Sequence, residues 1–391
     1  MSNGQWYPPE WPDRIRALAA GELTPATPRR AATVMLLRDP VIGTAPVVAT
    51  TPVGGTVTAD GTATTGGTAT ARGTDPVGGT DRSDRVDPAV GGREGPDAGP
   101  REGLAVHMLR RPASMAFAGG AYAYPGGGVD PRDDDRLVGW AGPSLESWAE
   151  RLGIATPAEA RAIVCAAVRE TYEEAGVLLA GPTADTVVAD TTGADWETDR
   201  AALVARELSF AEFLDRRGLV LRSDLLGAWA RWITPEFEPR RYDTWFFVAA
   251  LPEGQRTRNV STEADRAVWI RPGDAADGYD RGELLMMPPT VSTLRALRLY
   301  DTAAEALKAA DAQDLTPVLA RAELEDDALV LSWPGHGEFT KHIPSGSATS
   351  GPAISGPAAA GGTVSGSGNE TGGTAGGSGD ATGGRTGGEP A

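Results

Sequence analysis

Three glutamates lie within five positions of one predicted helix. Glu170, Glu173 and Glu174 are three and four residues apart, and residues at that spacing share a helix face. Like charges placed in this way cost a helix about 0.2–0.5 kcal/mol per pair, which a bound cation would offset. Hard divalent ions such as Mg²⁺ take oxygen ligands of this kind and often hold substrate phosphates as well. The spacing is compatible with a metal site, although three such glutamates taken alone are more often a solvated acidic face.

The helix that carries the glutamates has recognisable start and stop signals. Thr156-Pro157-Ala158-Glu159 is a capping box with proline at the first helical position. Gly176 stands where a C-terminal glycine cap belongs, so the pattern predicts a helix over residues 157–175. Its mostly apolar arc consists of Ala160, Val164, Ala167, Val168, Thr171 and Ala175. The glutamates flank that arc, at the edge of a core, and Arg169 can pair with Glu173 four positions later.

This run resembles the second half of the Nudix box, GX5EX7REUXEEXGU, in which U is a bulky apolar residue. The matching positions are Arg169, Glu170, Glu173, Glu174, Gly176 and Val177. Thr171 stands where an aliphatic residue is usual. Upstream, the segment Tyr124-Pro125-Gly126-Gly127-Gly128 resembles the glycine turn of the same family. The resemblance implies that the three glutamates hold Mg²⁺ or Mn²⁺, with Arg169 also in the catalytic set. It further implies that Gly126, Gly127 and Gly128 let the backbone approach the metal and substrate.

The two halves of the motif are separated by an insertion. Gly127 and Arg169 are 42 positions apart, whereas 14 positions separate these residues in the uninterrupted box. The insert, residues 130–156, contains an amphipathic stretch that predicts a short helix of its own. A split box resembles the Nudix branch related to the peroxisomal coenzyme A diphosphatase. Counting back eight positions from Arg169 places the usual upstream glutamate at Arg161, so that role is predicted to be absent or supplied by the insert.

Four residues outside the box are further site candidates. Glu263 lies in a polar loop from which Nudix enzymes often take a ligand or base, and a solvated loop acid is the alternative. Arg111 resembles by position an arginine of coenzyme A-cleaving relatives, but the second arginine of that signature corresponds to Ala116. Arg240 and Arg241 precede a predicted strand and would either bind phosphate or pair with Asp243 or Glu238.

Composition divides the chain into foldable and low-complexity parts. Of the 391 residues, the stretches 40–102 and 343–391 are rich in small and polar residues and bury too little apolar surface to offset their ordering entropy. We therefore expect an N-terminal extension (1–28), a Nudix domain (29–300) interrupted by the disordered insertion 40–102, an accessory segment (301–342) and a disordered tail (343–391). The formal net charge of −17 argues against nonspecific nucleic-acid binding, which requires basic surface.

The pattern of elements predicts an α+β fold. Strands are expected near residues 31–38, 104–111, 243–251 and 266–271, and helices at 157–175, 200–217 and 290–310. The strands near 31–38 and 104–111 are expected to pair as a hairpin across the low-complexity insertion. The Nudix resemblance implies an α/β/α sandwich, with a mixed central sheet between helices and a loop-helix-loop at the motif.

By resemblance, the chain is expected to be a metal-dependent hydrolase of a pyrophosphate bond in a small nucleotide-linked substrate, with coenzyme A or acyl-coenzyme A favoured. Alternatives that keep the chemistry are ADP-ribose, nucleotide sugars and dinucleotide polyphosphates. A different class of function is a Nudix-fold regulatory module that binds nucleotides without turnover. The sequence has no 18-residue apolar run and no signal-peptide pattern, so we expect no membrane association and a cytoplasmic location. The oligomeric state is not predicted.

Overall fold

The computed structural model describes residues 10–40, 103–115, 118–134, 138–259, 263–325, 328–333 and 341–344. Within these ranges the α-helices are α1 (Trp11–Ala19), α2 (Leu145–Leu152), α3 (Pro157–Ala175), α4 (Ala194–Val204), α5 (Phe210–Arg216), α6 (Pro272–Asp280), α7 (Pro288–Leu297) and α8 (Ala303–Ala310). The strands are β1 (Arg29–Arg38), β2 (Ala105–Arg110), β3 (Tyr122–Ala123), β4 (Gly126–Gly128), β5 (Trp140–Ala141), β6 (Ala180–Gly181), β7 (Val220–Arg222), β8 (Gly227–Ile233), β9 (Tyr242–Ala250), β10 (Arg266–Ile270), β11 (Val318–Leu319), β12 (Arg321–Glu325), β13 (Ala328–Ser332) and β14 (Lys341–Pro344).

A mixed sheet forms the middle layer, in the order β10-β2-β1-β9-β8-β11, with β3 pairing β2 and β4 pairing β1. Strand β1 runs parallel to β9 and antiparallel to β2 and β4. Because successive side chains of a strand point to opposite faces, Val34 and Leu36 pack with α3, whereas Met35 and Leu37 pack with α7. We call these two sides the α3 face and the α7 face. Helices cover both, which confirms the predicted α/β/α sandwich.

The predicted core elements are present, with two corrections among the helices. Helix α3 has the predicted bounds, and β1, β2, β9 and β10 lie where strands were expected. The single helix expected at 200–217 is wrong, because Arg206 has a positive φ of 61° and Ser209 starts the capping box of α5. The single helix expected at 290–310 is also wrong. It is divided into α7 and α8, and the side chain of Thr302 caps the start of α8.

The insert within the motif forms structure of its own, as expected. Residues Pro131–Asp134 make a short 3₁₀ helix, and α2 begins at an N-cap serine, Ser144, and ends at Gly153 in the left-handed region. Trp148 and Leu152 of α2 are buried in the same core cluster as α3. Strand β5 joins β7 and β6 in a separate three-stranded sheet. The insert therefore packs on the motif helix.

The chain beyond residue 300 continues the core on the α7 face. Ala303, Ala306 and Ala310 of α8 are buried there, and β11 adds to the edge strand β8. Strands β12, β13 and β14 form a third sheet, while α1 packs through Trp11 on Phe237. The stretches 40–102 and 343–391 were predicted to be disordered. Of these, residues 41–102 and 345–391 lie outside the described residues, whereas residue 40 and residues 343–344 are described. Among the helices described, none combines the length and apolar character needed to cross a bilayer.

Candidate active site

Helix α3 places the three glutamates at a largely buried edge of the core. The side chain of Thr156 accepts a hydrogen bond from the Glu159 backbone N–H, and Gly176 closes the helix with φ of 70°. Twelve of the nineteen helical residues are buried. The side chains of Glu170 and Glu173 are only 14% and 12% exposed to solvent. This degree of burial does not fit a solvated acidic face, because unpaired buried charges are costly.

The guanidinium of Arg169 joins these carboxylates to the glycine turn. Its Nη1 donates to Glu170 Oε1 (2.8 Å) and Glu173 Oε1 (3.2 Å). Its Nε and Nη2 donate to the two carboxylate oxygens of Asp133 (2.9 Å each), and Nη2 also donates to the Gly128 carbonyl (3.0 Å). Burial lowers the pKa of Arg169, but Asp133 and the two glutamates outweigh it, so its pKa is raised. The side chain is thus a fixed cation that orients its acidic neighbours.

Asp133 is the site residue that the sequence interpretation missed. It lies six positions after Gly127, which is the position the Nudix box gives to its first glutamate, and it is only 2% exposed. Counting forward from Gly127 would have found it. Counting back from Arg169 led to Arg161 because the extra residues follow Asp133. Of the two alternatives for this role, absent or supplied by the insert, the position of Asp133 fits the second, with a shorter acid at the start of the insert.

The glycine turn lies directly on the glutamates. The Gly126 N–H donates to Glu174 Oε2 at 3.0 Å. A Cβ atom at Gly127 would lie 2.5 Å from Glu170 Oε1. Both glycines belong to β4, which pairs with β1 in the register Ala32↔Gly127. The structure thus brings Gly126, Gly127 and Gly128 together with the carboxylates, at a separation that only a residue without a side chain permits.

Burial and mutual repulsion disfavour the charged forms of these carboxyls. Burial, only partly offset by Arg169, raises the pKa of Glu170 to about 7. Burial and the charge of Glu170 raise the pKa of Glu174 to about 8, and Glu263 adds to that rise. The pKa of Glu173 is raised mainly by burial.

The donor set suits a hard divalent cation. Carboxylate oxygens are the ligands that Mg²⁺ and Mn²⁺ prefer, and the single guanidinium of Arg169 contacts three carboxylates here, those of Asp133, Glu170 and Glu173. In the described ranges, no three Asp, Glu, His or Cys side chains form a ready-made metal cluster. The carboxylates are instead held by Arg169 and by the Gly126 N–H. Glu170, Glu173 and Glu174 remain the residues that would hold the ion.

The arginines predicted as site candidates lie in different parts of the fold. Arg110 pairs with Asp265 through two hydrogen bonds (2.7 and 3.1 Å). Arg111 follows it, bonds through its backbone to Ala121 and Gly120 just before the glycine turn, and has a buried Nε with no partner among the described residues. The backbone of Arg111 therefore lies beside the segment that leads into the glycine turn.

Arg240 and Arg241 lie at the turn between β8 and β9. Arg240 is exposed. Arg241 is buried and donates to the carbonyls of Thr234 (3.0 Å) and Ala26 (2.8 Å). Its suggested partner Asp243 pairs with Arg231 instead. Arg241 thus holds the backbone of this turn, and its guanidinium contacts none of the glutamates.

A cavity of about 690 Å³ lies on the α7 face. Its lining includes Trp229 and Trp232 of β8 and Thr293, Arg295 and Arg298 from the region of α7. The sheet separates this cavity from the α3 face, so the glutamates do not line it. One link crosses between them, because the Tyr124 hydroxyl beside the glycine turn bonds to Thr293 Oγ1 (3.0 Å).

Comparison with known proteins agrees with this arrangement. Residues 141–297 match the family model of the NUDT19 Nudix domain, a range that includes the glutamates of α3 and Glu263 but starts after the glycine turn. The "Acyl-coenzyme A diphosphatase NUDT19" of Gallus gallus is 25% identical over 222 residues, which cover 46% of this chain and 58% of that protein. The protein of the same name from Homo sapiens is 28% identical over 237 residues, which cover 51% of this chain and 61% of that protein.

The matched region thus spans about three fifths of the length of these curated relatives. A crystal structure of a Nudix hydrolase from Alicyclobacillus acidocaldarius matches with a TM-score of 0.48 and 23% identity, covering 75% of this chain and 99% of that one. The family model and the curated relatives together support a resemblance of this part of the chain to the NUDT19 Nudix domain.

Proposed function

We propose that this protein hydrolyses a pyrophosphate bond in a nucleotide-linked substrate, with Mg²⁺ or Mn²⁺ bound by Glu170, Glu173 and Glu174. The observation that carries the proposal is the network centred on Arg169. It holds two of the glutamates by hydrogen bonds of 2.8 and 3.2 Å against a turn whose N–H holds the third. This network holds together carboxylates that repel one another, an arrangement that favours the binding of a cation.

Each part of the site has a role in that reaction. A bound divalent ion would supply charge neutralisation at the phosphates and a more acidic water. Arg169 keeps Glu170 and Glu173 in place, and Gly126 orients Glu174. The proton of the attacking water passes to a carboxylate, and Glu174 and Glu263 are the two candidates. Arg111 lies beside the turn, where a guanidinium can pair with a substrate phosphate.

Coenzyme A or an acyl-coenzyme A is the substrate we favour. The support is the activity for which the relatives from Gallus gallus and Homo sapiens are named, acyl-coenzyme A diphosphatase, together with the position of Arg111. Hydrolysis would yield adenosine 3′,5′-bisphosphate and a phosphopantetheine. The second arginine of the coenzyme A signature is Ala116 in this chain, so ADP-ribose, nucleotide sugars and dinucleotide polyphosphates belong in the same test.

The test is a substrate screen with purified full-length protein, with Mg²⁺ or Mn²⁺ and with chelator. We expect turnover only with metal and highest kcat/KM for coenzyme A or acyl-coenzyme A. Glu174→Gln should lower kcat by about 10²–10⁴-fold, because the amide still accepts from Gly126 but neither binds a cation well nor takes a proton. Glu150→Gln, an exposed glutamate on α2, is the matched control. Full activity in Glu174→Gln would reject the assigned site. Tight nucleotide binding without turnover of any substrate would favour a regulatory module.

A further inference from the structure

Two arginines hold Glu173 at opposite ends. The Glu173 carboxylate accepts a hydrogen bond from Arg169 Nη1 at 3.2 Å. Its backbone carbonyl accepts a second one from Arg200 Nη1 at 2.7 Å. Arg200 lies on α4, 27 positions further along the chain, and is only 7% exposed. The position of this proposed metal ligand therefore depends on its main-chain support as well as on the Arg169 network.

The bond from Arg200 satisfies a carbonyl at the end of the motif helix. The last four carbonyls of an α-helix have no donor within the helix, and in α3 they belong to the turn that carries Glu173. One of them, that of Ala175, accepts from the backbone N–H of Arg258 at 2.9 Å. Glu173 accepts instead from a guanidinium, and charge-assisted hydrogen bonds are roughly twice as strong as neutral ones. The cation also interacts favourably with the C-terminal end of the helix dipole.

Glu197 orients the guanidinium of Arg200 from one turn earlier on α4. Its two carboxylate oxygens accept from Arg200 Nε at 3.0 Å each, and Arg200 Nη2 also donates to Oε1. Nη1 is left to reach the Glu173 carbonyl. A planar guanidinium that is fixed in this way loses little further side-chain freedom when it makes its last hydrogen bond. The pair is therefore a preformed donor for the end of α3.

Two more hydrogen bonds dock the same part of the chain on this turn. The Tyr172 hydroxyl donates to the Trp196 carbonyl of α4 at 2.8 Å. The Thr191 hydroxyl, which precedes α4, donates to the carbonyl of Gly176 at 2.6 Å. Helix α4 and the residues before it thus bond to the end of α3 at three points, of which the one from Arg200 reaches a glutamate.

We propose that Arg200, oriented by Glu197, is a positioning residue for the metal site, which fixes the backbone of the last turn of α3 and thereby the place of the Glu173 carboxylate. This inference rests on the proposed function for its effect on metal binding and catalysis, whereas the fixing of the helix end does not. Helix ends open at a low free-energy cost. Without Arg200 the turn frays more readily, and a shift of more than about 0.5 Å takes a ligand out of productive geometry.

The test compares Arg200→Gln with Arg216→Gln in the full-length, metal-free protein. Arg216 lies on the neighbouring helix α5 and its side chain is 62% exposed, so its substitution controls for the loss of one positive charge. Hydrogen exchange is measured for peptides that cover the last turn of α3, residues 171–176. We expect faster exchange there in Arg200→Gln and wild-type exchange in Arg216→Gln. Unchanged exchange in Arg200→Gln would overturn the inference.

Titration with Mn²⁺, followed by electron paramagnetic resonance, then separates positioning from stability, because it needs no turnover. We expect Arg200→Gln to bind Mn²⁺ about 10–100-fold more weakly, as for other residues that orient metal ligands. At saturating Mn²⁺ its kcat should still be reduced, with KM within a few-fold of wild type, because Arg200 contacts the ligand backbone. A lower melting temperature with wild-type Mn²⁺ affinity and kcat would mean that Arg200 only caps the helix, and would overturn the positioning role.

A second variant guards against misfolding of the first. Glu197→Gln keeps Arg200 but removes the charge of the carboxylate that orients it, so exchange and Mn²⁺ affinity should change in the same direction by a smaller factor. Wild-type values of both in Glu197→Gln would overturn the proposal for this pair. If wild-type protein binds Mn²⁺ but hydrolyses no pyrophosphate substrate, and both variants bind Mn²⁺ more weakly, the proposed function fails and the positioning role stands.

Discussion

The two faces of the sheet differ in how their charged side chains are paired. On the α7 face, the arginines around the cavity are paired with aspartates, Arg295 with Asp280 (2.5 Å) and Arg298 with Asp277 (3.6 Å). On the α3 face, a single guanidinium serves Asp133, Glu170 and Glu173, and the pKa of Glu170 and of Glu174 is raised. The α7 face has a cavity whose arginines are paired with aspartates. On the α3 face, the acidic side chains outnumber the one guanidinium that contacts them. The acidic cluster, rather than the cavity, is where we propose that a metal and a pyrophosphate react.

The adjacent glycines of β4 provide the sharpest test of this contrast. A Cβ atom at Gly127 would meet the flexible end of Glu170 at 2.5 Å, whereas one at Gly126 would meet the Ala32 carbonyl of β1 at 2.6 Å. Gly127→Ala should therefore lower kcat by about 10²-fold through a displaced carboxylate with a nearly unchanged melting temperature. Gly126→Ala should mainly destabilise the fold. Thermal melts and kinetics of both variants check this, and equal stability losses would contradict it.

Asp133 tests whether the buried partner of Arg169 supports the site. Asp133→Asn keeps the size of the side chain but removes one charge from a pair whose acid is 1% exposed. We expect a kcat loss of about 10–100-fold, because Arg169 would turn toward the remaining glutamates, and lower thermal stability. Asp13→Asn is the control, since the side chains of Asp13 and its partner Arg16 are 85% and 55% exposed and exposed pairs contribute little. An Asp133→Asn enzyme that matches this control would remove Asp133 from the site.

His107 gives the α3 face a pH dependence of its own. Its ring packs against Trp269 at 5.3 Å, and burial, followed by the charge of Arg38, lowers its pKa from 6.5 to about 3. The unfolded chain therefore binds a proton at His107 between these values that the folded protein does not, so the contribution of His107 to stability falls as pH decreases below about 6.5. The raised pKa values of Glu170 and Glu174 act in the opposite direction, so the prediction concerns the difference between two proteins: the melting temperature of His107→Leu relative to wild type should increase between pH 7 and pH 5. Parallel curves for the two proteins would refute this.

A substitution on the α7 face should have little effect in the same stability and kinetic assays. Arg298 lines the cavity and its side chain is 47% exposed, so Arg298→Ala should change stability by no more than about 0.5 kcal/mol and leave kcat and KM within about twofold. A large loss of pyrophosphate hydrolysis in this variant would show that the cavity takes part in the reaction.

Local signals explain which elements could be predicted from the sequence. Helix α3 was predicted with its observed bounds because Thr156 and Gly176 act within one turn of it. The break between α4 and α5 also had a local signal in Ser209 and Glu212, a capping box that was overlooked. Asp133 could have been found by counting forward from Gly127. These errors came from incomplete use of short-range patterns.

Other features had no signal in the sequence. Arg240 and Arg241 are adjacent arginines, yet one is exposed and the other bonds to the carbonyl of Ala26, 215 positions away. The sequence places Arg258 in a loop, and only the fold shows that its backbone N–H donates to the carbonyl of Ala175. Such contacts depend on how distant segments meet, which no short-range pattern encodes.

The sequence by itself determined the motif helix and the carboxylate spacing, because capping and helical periodicity act over a few residues. The type of chemistry was implied by the resemblance of this stretch to the Nudix box. Only the tertiary structure decided that Glu170 and Glu174 are half-buried beside the glycine turn and that Asp133 completes the Arg169 network. Burial and long-range pairing arise when strands and helices far apart in the chain pack together, and that packing converts a row of acids into a site with raised pKa values.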